Sequence, residues 1–173
     1  MNVPTQIRQA RDVGVLGWVD KLLIAVWRGS SIDGADVFYD EMTRGFERYQ
    51  SKVGHLAVIE PKTEMPPPEA RRRISQVFDE HPQACSVVAV VFEGSGFFAS
   101  AVGSVASAIM LLSGRATPFK VCNNLPEAAL FMTRHISVHG EPITPGLCKG
   151  AVDHLRTQYK RASLRPPSIA PRG

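Results

Sequence analysis

The stretch Ala84 to Gly114, ACSVVAVVFEGSGFFASAVGSVASAIMLLSG, constrains the chain most: a valine-rich run, a Glu-Gly-Ser-Gly break, then a longer run with many small residues. The first run lacks polar alternation, so as a strand it needs apolar cover on both faces and belongs at the centre of a sheet. The second run, Phe97 to Leu112, reads as a helix closed by Gly114. Its sixteen residues would span about 24 Å at 1.5 Å each, short of the roughly 30 Å hydrocarbon core of a bilayer, and no basic flank precedes it. A strand covered on both faces and followed by a close-packing helix implies a layered α/β body without a transmembrane segment.

The flanking sequence supplies the other layers. Residues 1–12 are polar and unpatterned and read as a mobile lead-in. Val13 to Trp27, VGVLGWVDKLLIAVW, reads as two strands joined by a tight turn at Asp20-Lys21. Asp33 is a candidate N-cap for a helix carrying Val37, Phe38, Met42, Phe46 and Tyr49 on one side and ending near Lys52 to Gly54. HLAVIE, His55 to Glu60, is a short strand stopped by Pro61. The proline-rich connection Pro61 to Pro68 is stiff, and Pro68 can occupy the first turn of a helix running from Glu69 to Glu80. After the central strand, Ala84 to Phe92, and its helix, Phe119 to Cys122 reads as a last strand. Asn124 with Glu127 then makes a capping-box-like start for a helix over Pro126 to Ile136.

This order predicts an α/β fold: a layered sheet of about five strands, mainly parallel, with an N-terminal antiparallel hairpin and four helices, over residues 13–136. Residues 137–162 read as a loop and a short basic helix with Leu147, Ala151, Leu155 and Tyr159 four apart. Residues 163–173 read as a disordered tail.

The net charge of +4 and pI near 9.2 raise the question of nucleic acid. From Lys149 onward the chain carries +5, and the 148 residues before it carry −1, so the body is neutral and only the tail is basic. Such a tail gives weak, salt-sensitive attraction, and Arg71, Arg72 and Arg73 point in different directions on a helix without interleaved aromatics. A nucleic-acid partner is therefore not expected. Cys85, Cys122 and Cys148 form no CxxC pair, and the N-terminus lacks an apolar signal core, which favours a reducing cytoplasm.

The element order, with the hairpin phrase WVDKLLIAVWRG, the central phrase VVAVVFEGSGFFASAV, the strand FKVCN and the helix LPEAALFM, resembles the STAS domain family, which includes bacterial anti-sigma factor antagonists. The resemblance spans Val13 to Ile136. It implies a non-catalytic regulatory module of a bacterial signalling or assembly system, acting through a protein partner or as a homodimer. Some STAS domains are switched by phosphorylation at the start of the second helix, within an Asp-Ser-Ser/Thr-Gly motif. The matching segment here, EPKTEMPPPEA, has Thr63 as its one hydroxyl and lacks that motif.

Among candidate sites, the turn Gly94-Ser95-Gly96 with Phe97 lies between a strand and a helix, where backbone amides could meet a phosphate or another ligand. Thr63 and Ser95 are the candidate phosphosites. The alternative function is a small-ligand sensor holding a nucleotide or apolar molecule near Gly94 to Phe98. Against the phosphate reading, Glu93 repels anions, the P-loop lysine is missing, and Ser95 can serve as a helix cap. A hydrolase elbow needs Gly two residues to either side of Ser95, where Glu93 and Phe97 stand. The small-residue face Ser100, Gly103, Ser104 and Ser107 could be buried against the body or form a homodimer contact. His135 and His139 with Cys122 and Cys148 lack metal-ligand spacing. No catalytic residues, cofactor or metal follow from the sequence.

Overall fold

Six strands lie side by side in chain order: β1 (Thr5–Ala10), β2 (Gly14–Val19), β3 (Leu22–Trp27), β4 (Val53–Ile59), β5 (Cys85–Phe92) and β6 (Phe119–Cys122). The structure is a computed structural model and describes residues 3–50, 52–61, 63–81, 83–94, 103–108 and 117–163. β1, β2 and β3 pair antiparallel, and β3 to β6 pair parallel. Helices α1 (Ile32–Tyr49) and α2 (Pro68–Glu80) and a helical segment at 103–108, α3, connect the parallel strands. Beyond β6 come α4 (Leu125–Met132), the small hairpin β7 (Ser137–Val138) and β8 (Glu141–Pro142), and α5 (Pro145–Ser163). The α/β class and the N-terminal hairpin are as the sequence predicts. The described residues hold a six-stranded main sheet instead of about five strands, and five helices instead of four.

Alternate residues of the strands feed two apolar layers. Leu16, Trp18, Leu23, Ala25, Val88 and Val90 pack with Phe38, Met42, Phe46, Val77 and Phe78 of α1 and α2. Val15, Ile24, Val26, Leu56, Val87 and Val91 pack with Met132 of α4 and Leu155 of α5. Both faces of β3 and β5 are thus covered, which is why their sequences carry no polar alternation. No described helix is long and apolar enough to cross a membrane.

Four expectations change. Residues 5–10 are not a lead-in but the edge strand β1. Only Ala10 of that strand is buried, and Gln6 sits at φ 53 where the register shifts, so the apolar pattern that marks a strand is missing. The N-cap of α1 is Ser31, whose hydroxyl accepts from the Gly34 amide at 3.1 Å. Asp33 lies in the first turn and pairs with Arg11. Gln50, in the left-handed region at φ 42, ends α1 before Lys52, and Thr133 ends α4 before Ile136. The basic helix is not short: α5 runs 19 residues, packs over β2 and β3, and carries the core past Ile136 to Tyr159. The segment 163–173 lies outside the described residues except for Ser163.

Two glycines permit this packing. A Cβ on Gly17 would stand 2.9 Å from Leu155 of α5, and one on Gly45 would stand 2.2 Å from the ring of Trp18. The indole of Trp18 donates to Glu41 at 3.1 Å, and the same carboxylate receives Arg8 at 3.1 Å and Arg44 at 2.7 Å. A carboxylate almost fully buried is tolerated there because it is surrounded by donors.

Candidate functional site

Where β3 and β4 end, the chain leaves the sheet at Trp27 and Ile59, and the two connections diverge. One climbs through Gly29 and Ser30 into α1; the other runs through Thr63 to Pro66 into α2. Between them and the sheet is a cavity of about 150 Å³. Its wall is mostly apolar, with four aromatic rings, those of Trp27, Phe38, Phe78 and Phe119, and with Val105 and Ala106 of α3.

Thr63 shapes the roof. It is buried, its hydroxyl hydrogen-bonds the Glu60 carbonyl at 2.7 Å and lies 3.2 Å from the Trp27 carbonyl, and so it folds the proline-rich connection back over the strand ends. A phosphate on Thr63 would have to break both contacts and open the roof.

The wall also contains His55, third residue of β4, 5% exposed. Its Nδ1 is 3.1 Å from the Leu23 carbonyl. A carbonyl only accepts, so Nδ1 carries the hydrogen and Nε2 is left with a bare lone pair. The ring stacks obliquely on Phe38, centroids 4.8 Å apart. Burial lowers its pKa from the usual 6.5 to about 4, so the imidazole is uncharged at neutral pH. Of the charged residues described, only Glu64, exposed at the mouth, contributes to the lining.

The residues singled out from sequence fall differently. Gly94 is described but does not line the cavity; a Cβ there would press 2.3 Å from the ring of Phe92. Ser95, Gly96, Phe97 and Ser100 lie outside the described residues. Gly103 stands against the sheet, its Cβ position 4.0 Å from Val121, while Ser104 is exposed and Ser107 half-buried. Burial pushes the Cys85 and Cys148 thiols up to about 12 and that of Cys122 to about 11, which keeps them protonated and poor nucleophiles. Among the described residues no group of three or more His, Cys, Asp or Glu could hold a metal ion.

On the opposite face a charged cluster joins the same strand ends to α5. Glu60, just after β4, receives Arg28 at 2.7 Å and Arg156 of α5 at 2.9 Å, and Arg156 also pairs with Glu93 after β5. The Arg28 guanidinium lies 4.7 Å over the ring of Tyr159, whose hydroxyl donates to the Asp12 carbonyl at 2.6 Å.

Sequence reasoning missed both the cavity and this cluster. HLAVIE carried one signal, a lone imidazole inside an apolar strand, and EPKTEMPPPEA another, a lone hydroxyl before three prolines. In comparisons with known proteins, no family model, no curated protein and no solved structure matches this chain.

Proposed function

We propose that the protein is a non-catalytic, STAS-like regulatory domain of a bacterial signalling or assembly system, whose cavity takes a small apolar ligand and passes its occupancy to a protein partner. The cavity at the carboxyl ends of β3 and β4 carries the reading. An apolar hollow with a few polar groups is the usual form of a small-molecule site. A volume near 150 Å³ suits a single ring, since a dry apolar cavity of about that size accepts benzene. It is too small for a nucleotide, and Glu64 at the mouth opposes phosphate. The ligand site is thereby moved from Gly94–Phe98 to the space under Thr63.

Thermal unfolding with toluene tests this. A one-site ligand at about 100 times its Kd stabilises the fold by about 2.7 kcal/mol, so the melting temperature should rise with toluene concentration. Ala57→Leu, which places methyl groups in the cavity, should fold and lose the response. An unresponsive wild-type chain against a panel of single-ring compounds would overturn the reading. The partner half is tested by light scattering on the purified chain: a homodimer whose population changes with toluene is expected if the partner is a second copy.

A further inference from the structure

Thr63 and His55, the buried polar side chains of the cavity wall, have already used their hydrogens. Thr63 gives its hydroxyl proton to backbone carbonyls, and His55 gives its Nδ1 proton to Leu23. What remains deep in the wall is accepting capacity: Nε2 of His55 accepts no hydrogen bond among the described residues, in a side chain nine-tenths buried. An acceptor on the wall of an apolar cavity favours a ligand that brings a donor to it over one that does not. An anionic ligand would face a lone pair and the carboxylate of Glu64. A cationic ligand would have to leave water for an aromatic wall whose one opposite charge, Glu64, is at the solvent-exposed mouth, and desolvation outweighs so exposed a partner. An uncharged donor is what His55 selects.

We infer that the ligand is of the phenol class: a single uncharged ring bearing one hydroxyl or N–H, with the ring in the cavity lined by Phe38 and Phe78 and its donor on Nε2 of His55. The inference rests on the proposed reading of the cavity as a ligand site and adds the chemistry that the site selects.

Phenol and toluene, alike in size and different in the donor, separate the two claims when titrated against the full chain at pH 7. Phenol should bind about tenfold or more tighter than toluene, the discrimination that one satisfied buried hydrogen bond supplies. Benzoate and benzylamine should bind more weakly than phenol. In His55→Phe, toluene binding should persist and the advantage of phenol disappear. Should that variant not fold, long-range ¹H–¹⁵N spectra of the wild-type chain decide: the Nε2 resonance of His55 should move toward its hydrogen-bonded position with phenol and stay with toluene. Toluene binding with no preference for phenol, or an Nε2 signal that ignores phenol, overturns the inference and leaves the cavity reading standing. Failure of all four compounds to bind overturns the cavity reading itself.

Discussion

His55 holds its proton less tightly in the fold than in the unfolded chain, and that difference is a dependence of stability on pH. The unfolded imidazole binds a proton near pH 6.5; the buried one does so only near pH 4. Between these values the unfolded state carries more protons, so stability rises with pH across the window and is lost as pH falls from 6.5 toward 4. The full difference is roughly 3 kcal/mol, at about 1.4 kcal/mol for each pH unit. Urea unfolding at pH 7 and pH 5 should show the wild-type chain losing about 2 kcal/mol more than His55→Phe; equal losses would mean that the imidazole titrates freely. The residue itself was visible in HLAVIE as part of a strand. Its role was not, because the cavity is assembled from β3, β4, β5, β6, the helices α1, α2 and α3 and a loop, and no spacing within one segment encodes that juxtaposition.

Elements of this protein were legible to the degree that their signals are local. The cap of α4 is an example: Asn124 accepts from the Glu127 amide at 2.9 Å, as the Asn-x-x-Glu spacing predicts, while Glu127 reaches one residue further back than a capping box does and accepts from the Asn123 amide at 2.8 Å. Asn124→Ala should lower stability by about 1 kcal/mol in chemical denaturation. Pro68 stands in the first turn of α2, again as a short-range rule requires. Gly45 shows where such rules stop. Inside α1, glycine costs about 1 kcal/mol relative to alanine, and propensity alone predicts that Gly45→Ala stabilises the protein. The added Cβ, however, would stand 2.2 Å from Trp18, whose indole is pinned by its bond to Glu41. Overpacking costs about 1–3 kcal/mol and wins; the variant should unfold at lower urea than wild type, and a stabilised variant would show that Trp18 can move aside. No sequence window contains both Gly45 and Trp18, so only the packed sheet reveals which effect dominates.

At the scale of the molecule, the two ends of the described chain define the limits of the sequence reading. β1 hides as a polar edge strand because four of its six residues are exposed and only Ile7 and Ala10 meet the apolar layers. α5 hides for the opposite reason: its charges dominate the composition of the last residues and make it look like an appendage, although Leu147, Cys148, Ala151, Val152, Leu155 and Tyr159 are buried in the layer under β2 and β3. Burying six such side chains contributes on the order of 10 kcal/mol, comparable with the 5–15 kcal/mol net stability of a whole domain. A chain ending at Thr144 should therefore fail to fold, showing no cooperative urea transition and binding a hydrophobic dye. A peripheral helix would leave the transition intact, so the truncation separates the two possibilities cleanly. Arg156 isolates the electrostatic part of the same contact. It is partly buried and bridges Glu60 and Glu93 at the ends of β4 and β5, while Glu60 keeps Arg28 as a second partner. Arg156→Leu retains the packing of the stem and strands only part of the acidic charge, so the loss should be about 1–3 kcal/mol, between the values for exposed and buried pairs. The variant should still unfold in one transition, at lower urea, with the deficit shrinking when Glu93→Gln is added, because the second change removes the carboxylate that the first left without its arginine.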